Sequence, residues 1–122
     1  MSEIPDMNVF DALGICIGTI VRAEHNTGAR DPAYRLWIDI GGEAPVQSSA
    51  KITERYTIAD LVDRQVVVVT GFGAIRVGGF RSDLLVFGVV TGDGVVLLRP
   101  DDVVPPDRRC RDHWSAGTAR TG

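Results

Sequence analysis

Cysteine is nearly absent from this 122-residue chain: there are two, Cys16 and Cys110, in unrelated contexts and without metal-ligand spacing. One bridge is the most they allow. The stretch Met1 to Met7 is acidic and polar, lacking the basic region followed by an apolar one that marks a secretory signal. Reduced thiols in the cytoplasm are therefore the expectation. Long apolar runs are also missing, since none approaches the roughly 18 residues of a membrane helix. Enzyme signatures are wanting as well: the chain has no P-loop, no HExxH, no CxxC pair and no nucleophile elbow. The histidines, His25 and His113, are far from Cys16 in sequence, so that thiol reads as a small half-buried apolar group and not as a nucleophile. These absences predict a protein that binds and does not catalyse, with no catalytic residue, no metal, no cofactor and no membrane contact.

Basic charge is short too. Thirteen Lys/Arg face sixteen Asp/Glu, a net charge of −3. Residues 1–103 hold nine basic against fourteen acidic residues, hence −5, and residues 104–122 hold four against two, hence +2. Counterion release by neutralised phosphates drives most nucleic-acid affinity, so this balance counts against strong non-specific binding and leaves room only for a local patch.

What the chain does have is a series of short β patterns. Ile15 to Ala23 is the first, with Ile15, Ile17, Thr19 and Val21 on one side and Cys16, Gly18, Ile20 and Arg22 on the other. Gly18 is the expected bend of a small-barrel strand. A polar turn from Glu24 to Pro32 leads into Tyr34 to Ile40, where Leu36, Ile38 and Ile40 alternate with Arg35, Trp37 and Asp39. Val46 to Ala50 is a shorter strand. Thr57 to Asp63 is the best helix, with Thr57 as its cap and Asp60 three residues on. The valine run Gln65 to Thr70 is a buried strand. Gly71, Gly73, Gly78 and Gly79 punctuate a loop, Leu84 to Val90 forms the next strand, and Thr91-Gly92-Asp93-Gly94 turns into Val95 to Leu98. The pattern predicts an all-β protein, a small five-stranded Greek-key barrel of the OB type with one short helix and flanking terminal segments. Residues 1–106 form the domain, and 107–122, without an apolar period, form a disordered Arg-rich tail.

Three segments carry a resemblance. LGICIGTI (13–20), QSSAKIT (47–53) followed by Arg55-Tyr56, and GFRSDLLVFG (79–88) occur in order and resemble the tRNA-binding-domain proteins of the CsaA type. The resemblance extends from about Phe10 to Pro106. It implies an OB-type barrel, a symmetric homodimer and tRNA binding, with an export-related chaperone role attributed to CsaA itself. The chain departs from the family at Gly14, Cys16, Gly71 and Ile75, each standing where the family has a polar or constrained residue. That opens two alternatives: a chaperone or peptide-binding module for unfolded or export-bound polypeptides, and a redeployed scaffold with a decayed RNA site.

The candidate RNA-binding residues are Ser48, Ser49, Lys51, Arg76, Arg81 and Ser82. Guanidinium groups fork onto phosphates or stack on bases, and hydroxyls donate to phosphate and ribose oxygens. Asp83 is placed to orient one of the two arginines. Trp37 and Phe72 are possible stacking platforms, with packing or an interface the favoured role for Trp37. Phe80 is expected to anchor the loop to the barrel. The dimer contact is expected at the Phe10 region and along Val95 to Val104.

Overall fold

The computed structural model describes residues 14–71 and 73–106. Its elements run in the order β1 (Gly14–His25), β2 (Tyr34–Asp39), β3 (Val46–Ala50), α1 (Ile58–Leu61), β4 (Gln65–Thr70), β5 (Ile75–Val77), β6 (Phe80–Ser82), β7 (Leu85–Val86), β8 (Gly88–Thr91) and β9 (Gly94–Leu97). One five-stranded antiparallel sheet has the order β3-β2-β1-β4-β7, and β5–β6 and β8–β9 form two-stranded ribbons. The Asp83 N–H donates to the Gln47 carbonyl at 2.9 Å and so joins β3 to the segment that leads into β7. The sheet thereby curls into a nearly closed five-stranded barrel, the OB-type architecture that the strand pattern predicts. The Phe10 region and the tail 107–122 lie outside the described residues.

The core follows from alternation. In β2, Tyr34, Leu36 and Ile38 point inward and are buried, while Arg35, Trp37 and Asp39 face outward. Ile20, Leu61, Val66, Val68 and Leu84 complete a fully buried cluster. Burial of each such side chain is worth about 1.5–3 kcal/mol.

Strand β1 departs from its expected course in an informative way. Cys16 and Ile20 face the core, so strict alternation would carry Arg22 into it. The register against β2 instead slips between Ile20, which pairs with Ile38, and Arg22, which pairs with Trp37. Val21 is the extra residue and is 42% exposed. A one-residue slip moves every later side chain to the opposite face. The slip therefore sends Arg22 out and Ala23 in, against the buried Leu36. The bend expected at Gly18 is this bulge at Val21. Gly18 serves a different need, because a Cβ there would run into the Ile38 side chain.

The helix keeps its predicted start. The Thr57 hydroxyl accepts from the Asp60 N–H, and the Asp60 carboxylate accepts from the Thr57 N–H at 2.9 Å, a complete capping box. Those hydrogen bonds hold the Asp60 carboxyl below its ordinary pKa. The expected strand Leu84 to Val90 is broken in two: Leu85 and Val86 pair with β4, whereas Gly88 to Thr91 pair with β9. The Phe87 N–H donates to the Val67 carbonyl at the break. Downstream, the Gln65 carboxamide exchanges two hydrogen bonds with the backbone of Val104, tying the last described residues to β4. No helix among the described residues is long and apolar enough to cross a membrane.

Candidate nucleic-acid interface

The glycine-rich stretch expected as a loop is a β-hairpin. Gly78 and Gly79 stand at its turn with φ of +59° and +79°. A two-residue hairpin turn of type I′ has left-handed backbone at both central positions, which glycine takes without strain. The consequence is a fixed register in which Arg76 and Arg81 are directly opposed. Both are exposed, on the face turned away from the buried Phe80 and Ser82. Like charges across a ladder repel and destabilise it, so an anion bridging them relieves a cost already present in the hairpin. Arg76 donates to the Gly79 carbonyl at 3.2 Å. Arg81 is held by Asp83 at 2.6 Å, the orienting contact anticipated for that carboxylate.

The hairpin is fastened to the barrel by groups that the sequence reading assigned to RNA or passed over. Ser48 is fully buried, and its hydroxyl donates to the Leu84 carbonyl at 2.9 Å. Ser82 is 2% exposed, and its oxygen accepts from the Ser49 N–H. Gln47 donates to the Arg81 carbonyl at 2.9 Å. Ser48 and Ser82, expected as ligand donors, lie in the structure as buried groups that close the barrel: where β3 meets β6 and β7 the backbone ladder is incomplete, and buried polar atoms must be paired. Asn26, which the sequence reading saw only as a turn former, is 4% exposed and holds three elements at once. Its amide donates to Ser49 Oγ and to the Val77 carbonyl, and its oxygen accepts from Arg35 Nε, each at 3.1 Å. Beside it, Gly28 lies so close to the hairpin turn that a Cβ would sit 2.5 Å from the Gly78 carbonyl oxygen.

The remaining candidates sit next to this assembly. Ser49 is half-buried, its hydroxyl held by Asn26, and Lys51 is exposed just past β3, paired with Asp31 at 2.9 Å. On the outer face of β1 and β2, Arg22, Trp37 and Arg35 gather around the Phe80 of β6, with a cation at each end and the two rings between. Arg22 lies 4.4 Å over the Trp37 ring, Trp37 meets Phe80 edge-on at 5.5 Å, and Arg35 lies 5.0 Å over Phe80. Phe80 anchors the hairpin as expected, and Trp37 receives it. Sequence reasoning missed Arg22 and Arg35; the signal for Arg22 was a charged residue on the row that otherwise enters the core. Phe72 lies outside the described residues.

The electrostatics are graded. Arg22, Arg35, Lys51, Arg76 and Arg81 are balanced by Glu24, Asp31 and Asp83, leaving two positive charges on a chain of net charge −3. Among the described residues no group of three His, Cys, Asp or Glu side chains could hold a metal ion. What this surface can do chemically is grip phosphate oxygens with a preset pair of guanidinium groups on the exposed face of the ribbon.

Comparison with known proteins agrees with that chemistry. The family model described as "Putative tRNA binding domain" matches residues 15–109. The methionine–tRNA ligase of Methanothrix thermoacetophila is 39% identical over 97 residues, covering 79% of this chain and 14% of the ligase. That of Methanococcoides burtonii is 33% identical over 98 residues, again 14% of its length. The chain thus spans about one seventh of these relatives, which match it as a single domain. Among solved structures, the chaperone CsaA of Bacillus anthracis superposes with a TM-score of 0.80 at 41% identity, covering 89% of this chain and all of that one. The CsaA chaperone protein of Picrophilus torridus superposes with a TM-score of 0.81 at 33% identity, covering 88% and all of it.

Proposed function

Because the chain belongs to the tRNA-binding domain family, we propose that it binds structured tRNA without catalysing a reaction on it, with the β5–β6 hairpin as its grip on the phosphate backbone. The observation that carries this reading is the opposed pair Arg76 and Arg81 on an exposed, rigidly anchored ribbon. Ser49 and Lys51 flank it, and the Ser49 hydroxyl accepts from Asn26 through its oxygen, which leaves its O–H to donate to a phosphate or ribose oxygen. With only two uncompensated positive charges, recognition relies on the shape of the folded RNA more than on its charge. Titration of labelled bulk tRNA at two salt concentrations tests it. A saturable complex whose affinity falls with salt is expected, and no complex at micromolar protein and low salt overturns it.

A homodimer is part of the proposal. Phe87, Val89 and Val90 are 47%, 52% and 83% exposed, and Leu85, Leu98 and Val103 are exposed with them. Exposed large apolar residues gathered on neighbouring segments support an interface. It lies on β7, β8 and the chain after β9, and not along the whole of Val95 to Val104, because Leu97 is buried and Val95 and Val96 are half-buried. A monomeric mass by light scattering removes the dimer. The likeness to CsaA chaperones and this same apolar surface support the second reading, binding of unfolded or export-bound polypeptide. The two uses compete for one surface, so suppression of client aggregation by a stable dimer, untouched by tRNA, counts for a separate peptide site.

A further inference from the structure

The two opposed arginines of the hairpin are not equivalent. Arg76 turns one Nη group back onto its own ribbon, donating to the Gly79 carbonyl at 3.2 Å. Its fork is thus already partly engaged. Arg81 is engaged at the other end of its guanidinium, where Nε donates to Asp83 Oδ1 at 2.6 Å. A guanidinium has five N–H groups, one on Nε and four on the Nη pair. Those four form the fork that matches two phosphate oxygens. In Arg81 they have no partner among the described residues, and the side chain is 58% exposed.

The carboxylate that holds Arg81 is itself held. The Asp83 N–H donates to the Gln47 carbonyl at 2.9 Å, and the Gln47 amide donates to the Arg81 carbonyl at 2.9 Å. Between them, the Ser82 oxygen accepts from the Ser49 N–H at 2.6 Å. Three consecutive residues are thereby pinned to β3, so barrel closure sets where the Asp83 carboxylate stands. As an ion pair this exposed, Arg81–Asp83 adds little to stability. A carboxylate beside a phosphate site also repels the ligand. What Asp83 supplies is direction, because an arginine held at Nε gives up rotamer freedom before the ligand arrives.

Resting on the tRNA reading, we propose that Asp83 is a positioning residue for Arg81, whose Nη pair forks onto one backbone phosphate, while Arg76 adds an undirected positive charge. Arginine is therefore required at position 81, and lysine serves at position 76. The sign of one substitution separates direction from charge. Asp83→Ala removes a negative charge from beside the phosphate, which by charge alone tightens the complex; loss of the hold on Arg81 weakens it. Alanine keeps the backbone N–H that donates to Gln47, so the barrel stays closed.

The test follows labelled bulk tRNA by anisotropy with the full chain at low salt, with urea unfolding to check that each variant keeps its fold. Asp83→Ala is expected to weaken binding about 3- to 30-fold, the range set by freezing arginine rotamers on binding. In the Arg81→Ala chain the same change is expected to leave affinity unchanged or raise it, which a merely structural role for Asp83 would not do. Arg76→Lys is expected to stay within about twofold of the native chain, and Arg81→Lys to fall by about threefold or more. The lysine comparison stands by itself if Asp83→Ala fails to fold. Native or tighter binding by Asp83→Ala overturns the positioning role. So does an equal loss from that change in the Arg81→Ala chain, or an equal effect of lysine at 76 and 81. In each of these cases a tRNA complex weakened by Arg76→Ala/Arg81→Ala leaves the hairpin reading standing. If that double variant binds as the native chain does, or no tRNA complex forms at all, the hairpin reading itself falls and the positioning role with it.

Discussion

Replacing Asn26 by alanine removes a side chain that, from the end of β1, ties β2, β3 and β5 together. Its carboxamide makes three hydrogen bonds, to Ser49 Oγ, to the Val77 carbonyl and from Arg35 Nε, while it is itself 4% exposed. A neutral hydrogen bond contributes about 1 kcal/mol net, and one to a charged group about 1.5–3 kcal/mol. Arg35 is partly exposed, so water recovers some of its share. The expected loss is about 2–4 kcal/mol, which for a domain near 100 residues lowers Tm by about 10–20 °C. The loss is also local: the Val77 carbonyl is freed and the hairpin loses its link to the sheet. Asn26→Ala is therefore expected to bind tRNA more weakly even at temperatures where far-UV circular dichroism shows an intact barrel. Urea unfolding gives the first number and anisotropy the second. A stability loss below about 0.5 kcal/mol with unchanged tRNA affinity refutes the reasoning, since it means that water replaces every contact and the hairpin is held by something else.

Other outcomes follow from single groups. Ser82→Ala leaves the Ser49 N–H without its acceptor and should cost about 1–3 kcal/mol in urea. The folded variant should keep its tRNA affinity, whereas lost affinity at intact stability would return Ser82 to the RNA site. Thr57→Ala removes half of the capping box and should cost about 1 kcal/mol. Because the Asp60 carboxyl lies below its ordinary pKa, its contribution is complete above the unfolded value of about 3.9 and is lost as pH falls through the depressed folded value. Asp60→Asn should therefore flatten the acid limb of a stability-against-pH curve, and an unaltered limb contradicts the cap. Val90→Glu, at a side chain 83% exposed, should leave monomer stability unchanged and halve the mass measured by light scattering; an unshifted mass places any dimer elsewhere.

Alternation and β-branched content made the barrel legible, because both report directly on which face is buried. Leu36, Ile38 and the valine run of β4 stand where period-two reading puts them. The bulge at Val21 was hidden because the cost it avoids, a buried Arg22, exists only once β1 is paired with β2. The β5–β6 hairpin escaped because three-residue strands carry no period, although a Gly-Gly pair between Ile75-Arg76-Val77 and Phe80-Arg81-Ser82 is a turn signal. At the site, the arginines were legible from charge and the resemblance together. The barrel-closing bonds of Ser48 and Ser82 were not legible, because a hydroxyl that closes a barrel and one that greets a phosphate look alike until the closure is in view. Asn26 in a turn gave no hint of its partners, two of them more than twenty residues away.

If Arg76 and Arg81 are where tRNA is held, removing both guanidinium groups must weaken the complex and its response to salt. The direct measurement is the dependence of tRNA affinity on salt for the native chain and for Arg76→Ala/Arg81→Ala, with the fold checked by circular dichroism. Each phosphate contact contributes about 0.7–0.9 to the slope of log affinity against log salt. The double variant should bind more weakly at low salt, with a slope shallower by about 1.5. Equal affinity and equal slope in the two proteins contradict the assignment and leave the hairpin a structural ribbon with two solvated charges.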